Sequence, residues 1–267
     1  MPDRRNQGEN SKGGQKVKTM ATSPDFATVT SRNISQEAFQ DADSTSIEAM
    51  YHLYLDQHKA SAAFQRSKPY IIFQRIFDIV GSGLALILLF PFFFVIAILI
   101  KLDNKGTILY RHKRIGLQGK EFEFYKFRSM IHGAEDLKLD LLDKNEAAGP
   151  IFKIKDDPRI TRIGKFLRRT SLDEAPQFLN VFLGQMSLVG PRPHLAHEVV
   201  LYKGDEWLRL YVKPGLMCYR EVQGRSRISF DEWVELDLKY LRERSAWIDI
   251  KILLKGIVAV IKQEGAM

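Results

Sequence analysis

The chain has 267 residues, of which 45% are hydrophobic; that is enough apolar material for one large or two small domains and excludes disorder throughout. Its 40 Lys and Arg against 32 Asp and Glu leave a charge of +8, which suits nucleic acid, anionic lipid or a phosphorylated substrate and selects none of them. The single cysteine, Cys218, excludes an internal disulfide and a thiolate metal cage, and reads as a small buried hydrophobe.

In chain order, residues 1–67 form a polar N-terminal extension. Residues 1–18 are basic and polar with no apolar stretch before a small-residue cleavage site, so no secretory signal is expected. Composition predicts disorder over 1–44. Within 45–64, Ile47, Met50, Tyr51, Tyr54 and Leu55 recur at spacings of three and four, which predicts a short helix with no role assigned.

Residues 68–106 carry the membrane signal. The stretch 79–100 contains about 22 uncharged, mostly apolar residues, long enough to cross a bilayer core. Pro91, near its middle, removes a backbone hydrogen bond and biases Phe90 toward extended backbone, which predicts a kink or break. Lys59, Arg66, Lys68 and Arg75 precede the stretch, and Lys101, Lys105, Arg111, Lys113 and Arg114 follow it, so the positive-inside rule assigns both flanks to the cytoplasm. A helix that enters, breaks at Pro91 and returns on the same side satisfies both observations, with Ser82 and water serving the freed backbone groups. Arg75 and Asp78, three residues apart, are placed to pair on one helix face.

Residues 107–267 read as a cytoplasmic catalytic domain. Strands are predicted over 108–110 and 120–127 around Gly116 and Gly119, with Phe122, Phe124 and Lys126 on one face. A helical pattern covers 132–143, Gly149-Pro150 breaks it, and helices are predicted over 230–242 and 247–262. The last aligns Lys251, Lys255 and Lys262 and carries Trp247, a composition equally suited to the membrane interface and to the domain core. The fold class expected is α+β and mostly helical: a re-entrant membrane helix plus a compact cytoplasmic domain with a small β-hairpin and amphipathic interfacial helices.

The stretch 156–193 concentrates the chemistry. Arg162, Lys165, Arg168 and Arg169 lie just ahead of the adjacent acids Asp173 and Glu174. Phosphoryl transfer needs such a set: carboxylates hold Mg2+, cations neutralise phosphate oxygens, and one carboxylate can attack phosphorus. Ser171 to Glu174 also matches a capping box that would merely start a helix. Pro176 fits better in a first turn that begins after Leu172, leaving both acids at the positive end of a helix, where a phosphate would also gather. The local pattern leaves both readings open. Gly190-Pro191-Arg192-Pro193 presents one guanidinium on a rigid loop suited to a phosphate, and Lys126 and Arg128 are either phosphate ligands or plain surface cations. His194 and His197 lack company from other metal-ligating residues and read as ordinary core or surface side chains. No nucleic-acid-binding signature is recognisable, and none is expected to function.

In order along the chain, Gln74-Arg75-Ile76-Phe77-Asp78, the apolar stretch with Pro91, Tyr125-Lys126-Phe127-Arg128-Ser129-Met130, Asp157-Pro158-Arg159, the run from Arg168 through Asp173-Glu174 to Gln177, and Gly190-Pro191-Arg192-Pro193 resemble the monotopic phosphoglycosyl transferases, also called bacterial sugar transferases. The resemblance covers about residues 75–257. It implies a two-step, Mg2+-dependent transfer of a sugar 1-phosphate from a UDP-sugar to polyprenyl (undecaprenyl) phosphate, releasing UMP through a covalent aspartyl intermediate. That reaction initiates exopolysaccharide, capsule, O-antigen or glycoprotein glycan synthesis at the cytoplasmic face of the bacterial inner membrane, with both termini cytoplasmic and membrane lipid as a further partner. By resemblance Asp173 is the nucleophile and Glu174 binds metal or deprotonates the acceptor, so that Asp173 and Glu174 together are the Mg2+ ligands. Arg168 and Arg192 bind phosphates, and Lys126, Arg128 and Arg159 with Asp157 shape the site around them. Two departures stand out. Members acting on hexoses commonly read PGLTGLWQ where this chain has residues 214–221, from Pro214 to Glu221, and the helix break often has Ser where this chain has Phe90. The transferred sugar and assembly with further copies of the chain stay open, and a catalytically inactive, membrane-anchored scaffold of the same fold is the alternative reading.

Overall fold

The computed structural model describes residues 44–58, 64–146, 152, 154–223 and 228–262; the expectations for 1–43 and for Gly149-Pro150 lie outside the described residues. The first helix, α1 (Ser44–His58), covers the described part of the helix expected over 45–64, whose residues 59–63 lie outside the described residues. The spacing of its apolar pattern has a structural use: Ile47, Tyr51 and Tyr54 are buried in the main core, and the Tyr54 hydroxyl donates to Asp205 at 3.0 Å.

Helix α2 (Lys68–Asp103) begins with Pro69 in its first turn, where a missing amide costs nothing. It then runs uninterrupted for 36 residues with Pro91 inside it, so the predicted break at Pro91 is absent. One proline removes only the bond to the Ile87 carbonyl, and the ladder on either side continues. The chain next forms an antiparallel hairpin of β1 (Leu109–Ile115) and β2 (Glu121–Phe127). Strand β1 is longer than expected because Arg111, His112, Lys113 and Arg114 hide the alternation of apolar residues. The register sets Tyr110 opposite Lys126, His112 opposite Phe124 and Arg114 opposite Phe122, which puts all six on one face.

A 3-10 turn (Asp136–Lys144) replaces the α-helix expected near 132–143. Helix α3 (Arg162–Thr170), the short turn Leu172–Glu174, and helix α4 (Gln177–Leu183) follow. Strands β3 (Ser187–Val189) and β4 (Gly215–Met217) then pair in parallel. This second sheet was not expected, since three residues are too few to show a period of two. Between and after them come α5 (Ala196–Val199), a 3-10 turn (Gly204–Tyr211), α6 (Tyr219–Gln223), α7 (Phe230–Glu243) and α8 (Ala246–Ile261). The main core gathers Trp207, Leu188, Leu241 and Ile252 with the α1 side chains, and Cys218 is buried as expected.

Both ends of α2 are fastened to this one folded body. Near its start, Arg75 donates to the carbonyls of Val181 at 3.0 Å and Phe182 at 2.9 Å, in the last turn of α4, where carbonyls lack a full set of intrahelical partners. Asp78 accepts from Ser187 Oγ at 2.9 Å and from the Leu188 amide at 2.8 Å. The expected Arg75–Asp78 pair is therefore not made, because each side chain serves unpaired backbone of the element packed against it. At the other end Asp103 accepts from the Ile163 amide at 3.0 Å and Asn104 donates to the Met130 carbonyl at 2.8 Å. Ile96 and Ile100 pack with Phe127 and Leu167 in a second apolar cluster. Between these anchors Leu84, Ile87, Leu88, Phe90, Phe92 and Phe94 are exposed. Helix α8 also turns apolar side chains outward: it buries Ile252, Gly256 and Ala259 and leaves Trp247 at 71% and Ile261 at 74% exposure.

Asp78 carries the joint between α2 and β3, and this sets an expectation. Replacing it by Ala leaves the Leu188 amide and the Ser187 hydroxyl buried without their acceptor, at a cost of about 1–3 kcal/mol. Denaturant unfolding in detergent will show the loss as a lower midpoint; an unchanged midpoint refutes the role of Asp78 as the joint.

Candidate active site

Local backbone geometry brings the conspicuous side chains together. Thr161 caps α3 by accepting from the Gly164 amide at 2.9 Å. Gly164 lies so close to the Ser129 carbonyl that a Cβ there would stand 1.9 Å from it, so α3 rests directly on the backbone following β2. This contact brings Arg168 Nε to 2.9 Å from Ser129 Oγ. The helix ends at Ser171, which adopts a left-handed conformation with φ 58°, and the chain folds at once into the Leu172–Glu174 turn. Ser171 thus terminates α3 rather than starting a capping box, and its side chain makes no cap bond to that turn. Pro176 sits at the cap position of α4, which starts only at Gln177, so the helix begins later than the expected start after Leu172 and the two acids occupy a separate 3-10 turn ahead of it.

The two acids in this turn have different surroundings. Glu174 is clamped: Lys126 Nζ lies 2.8 Å from Oε1, Arg192 Nη2 lies 2.6 Å from Oε1, and Arg192 Nη1 lies 3.3 Å from Oε2. Burial pushes its pKa upward, but the charges of Arg192 and Lys126 and their hydrogen bonds outweigh that and hold the carboxyl well below its usual range. Asp173 is buried, has Lys126 Nζ at 3.8 Å as its ion-pair contact, and among the described residues makes no side-chain hydrogen bond. Burial raises its pKa, opposed by Lys126 and Arg168 and assisted by the neighbouring Glu174 charge. One carboxylate is committed to holding two cations; the other keeps its lone pairs and is surrounded by positive charge.

The remaining predicted residues divide. Lys126, Arg168 and Arg192 converge on the acids. Arg159 does not: it is buried in a forked pair with Asp157, with Nη2 to Oδ2 at 2.7 Å and Nε to Oδ1 at 2.9 Å, and also donates to the Ala134 carbonyl. Arg128 turns to Thr107, donating to its carbonyl at 2.8 Å and to its hydroxyl at 2.6 Å. Arg75, Asp78 and Pro91 belong to the membrane helix rather than to this cluster.

Sequence reading missed the support behind Arg192. Arg114 Nη1 donates to the Pro193 carbonyl at 3.0 Å, and the His194 carbonyl accepts from the Ile115 amide at 2.9 Å. Beneath the loop, Arg209 is buried and paired with Asp237 at 2.6 Å, with the Tyr202 hydroxyl and the His194 ring as further partners. Burial and then the Arg209 charge hold His194 well below its ordinary pKa, so the ring is neutral there. Only the β1–β2 register reveals Arg114, since in sequence it is one more cation in a basic strand.

The donor chemistry fits Mg2+. The ion favours oxygen ligands and is usually held by one or two carboxylates, with substrate phosphates and water completing its shell. Asp173 offers free carboxylate oxygens, and Glu174 lies next to it with its oxygens already shared with two cations. Among the described residues no three Asp, Glu, His or Cys side chains converge.

The sequence profile described as bacterial sugar transferase matches residues 69–263. The chain belongs to that family. It is 43% identical over 198 residues to the galactosyl transferase CpsE of Streptococcus agalactiae serotype III, covering 74% of this chain and 44% of that protein. It is 40% identical over 197 residues to the undecaprenyl-phosphate galactose phosphotransferase of Salmonella typhimurium, covering 72% and 41%. It is 36% identical over 197 residues to the exopolysaccharide production protein ExoY of Rhizobium meliloti, covering 72% and 87%. Relative to the first two, this bacterial sugar transferase spans about two fifths of their length; relative to ExoY, it spans most of it.

The electrostatics of the acids predict a titration. Lys126 stabilises the Asp173 anion, so Lys126→Met will raise the Asp173 pKa further, while Arg192 keeps Glu174 ionised. Carboxyl 13C NMR will show the Asp173 resonance titrating at higher pH in the variant than in the wild type; an unmoved titration removes Lys126 as its counter-charge.

Proposed function

We propose that this bacterial sugar transferase moves a sugar 1-phosphate from a UDP-sugar to polyprenyl phosphate, with Asp173 as nucleophile. The observation that carries this reading is the unequal commitment of the adjacent acids, with Glu174 locked between Lys126 and Arg192 and Asp173 uncommitted among cations. A carboxylate oxygen of Asp173 attacks the β-phosphorus, the bond from that phosphorus to the bridging oxygen breaks, and UMP leaves with that oxygen. The polyprenyl phosphate oxygen then attacks the same phosphorus, breaks the acyl phosphate bond, and regenerates the Asp173 carboxylate. Lys126, Arg168 and Arg192 stabilise the charge that builds on the phosphate oxygens in both displacements. Mg2+, held by Asp173 and Glu174, supplies further neutralisation of the diphosphate when bound. The relatives' names support the substrate class, since the Salmonella typhimurium protein is named for galactose phosphate transfer to undecaprenyl phosphate.

The same reading accounts for the membrane helix. Both ends of α2 are fastened to one folded domain and its middle is exposed and apolar, which supports a helix that dips into one leaflet and returns over a straight crossing. Exposed Trp247 and Ile261 on α8, and Phe182 and Leu183 at the end of α4, favour a domain resting on that leaflet at the cytoplasmic face of the inner membrane with both flanks of α2 in the cytoplasm.

Incubation of the detergent-extracted protein with a panel of UDP-sugars and Mg2+, without acceptor, will release UMP and add one phosphosugar to the intact protein mass; undecaprenyl phosphate will then discharge the adduct. Asp173→Asn will lose both. UMP release that survives in this variant refutes Asp173 as nucleophile, and silence from every donor in the wild type favours the scaffold reading.

A further inference from the structure

A cavity of about 310 Å3 borders the site on the α3 side, lined by Lys155, Lys165, Arg168 and Arg169, with Phe166 at its wall. Two carboxylates also line it, Asp156 and Asp157, but Asp157 is already engaged by the Arg159 fork. Among the described residues Lys155, Lys165 and Arg169 make no ion pair. Four cations thus face one uncommitted acid, an excess suited to a dianion.

Three features distinguish this cavity from the cluster around Glu174. It shares no lining residue with Lys126, Glu174 or Arg192, yet it includes Arg168, whose charge also acts on Asp173. Arg168 is thus the side chain shared between the cavity wall and the surroundings of Asp173. Next, α3 is tied to the polar end of the apolar helix, because the Ile163 amide donates to Asp103, the last residue of α2. Its buried Leu167 packs with Ile96 and Ile100, so Lys165 and Arg169, one turn apart, lie on a helix docked against the polar end of α2. Finally, Phe166 is 45% exposed between these cations, an apolar surface beside a cationic one, as a phosphate joined to a hydrocarbon chain requires.

We propose that this cavity seats the phosphate monoester of the lipid acceptor, with Lys165 and Arg169 as its ligands and Phe166 against the first carbons of the chain; the assignment rests on the transfer reaction proposed above. The donor diphosphate then lies on the Lys126 and Arg192 side, and the two substrates reach Asp173 from different directions.

The half-reaction separates the two sides, because exchange of labelled UMP into UDP-sugar needs no acceptor. In the full-length protein in neutral detergent, Lys165→Ala with Arg169→Ala will keep the exchange rate within about twofold of wild type while the KM for undecaprenyl phosphate rises about tenfold or more, the effect of losing charge-assisted contacts to phosphate. The charge-conserving pair Lys165→Arg with Arg169→Lys will recover most of that KM. An unchanged acceptor KM, or an exchange rate that falls in step with turnover, overturns the assignment. Repeating the titration in micelles doped with phosphatidylglycerol distinguishes the phosphate source: a defect that appears only with the anionic lipid means that the cavity reads bulk headgroups, and the proposal fails. Absence of exchange in the wild type refutes the reaction itself, a failure visible before any variant is compared.

Discussion

The Glu174 carboxylate, held by Lys126 from the hairpin and Arg192 from the loop after β3, is the contact on which the site depends. It ties three segments remote in sequence and ionises fully because two cations outweigh the cost of its burial. Its neighbour inherits the consequence. With Lys126 and Arg192 absorbed by Glu174, Asp173 sits in a positive field without being locked by it, the condition under which a weakly basic carboxylate can act as a nucleophile. A buried, half-compensated cluster of this kind is costly unless every member is positioned, and the Arg209–Asp237 pair and Arg114 supply that positioning from below and behind the loop.

The membrane helix is organised by a comparable constraint. Its apolar middle is largely exposed, with Phe93 against Phe127 as one contact to the domain, and polar contacts hold its ends, through Arg75 and Asp78 on one side and Asp103 and Asn104 on the other. All four side chains satisfy backbone groups of neighbouring elements rather than one another. Helix and domain are thereby joined by polar contacts of defined direction, which fix orientation as apolar packing alone would not.

How much of this was legible depends on the length scale at which each residue acts. The apolar run, the hairpin around Gly116 and Gly119, the α7 and α8 helices, and the acids placed ahead of Pro176 are local patterns, and the fold follows them closely. Asp173, Glu174, Lys126, Arg168 and Arg192 were identifiable as residues, and the structure brings them together. What sequence could not supply was the tertiary partners: Arg128 goes to Thr107, Arg159 to Asp157, and Arg75 and Asp78, expected to pair, go to separate backbone groups. The β3–β4 pair and Arg114 had too weak a local signal, the former because of its shortness and the latter because a run of cations masks strand alternation. At Pro91 the helix does not break, because one missing hydrogen bond interrupts a long ladder only locally.

Gly190 and Gly215 approach so closely that a Cβ on Gly215 would stand 2.0 Å from the Gly190 amide nitrogen. That contact welds the arm leading to Arg192 onto the arm leading to Met217, Cys218, Tyr219, Arg220 and Glu221, the stretch in which this chain departs from hexose-acting members of its family. The two arms behave as one stiff part. Side chains beyond Gly215 can therefore be exchanged without disturbing this contact, whereas inserting or deleting a residue in either arm would drag the guanidinium that clamps Glu174 out of register; diversification is confined to spelling and denied to length.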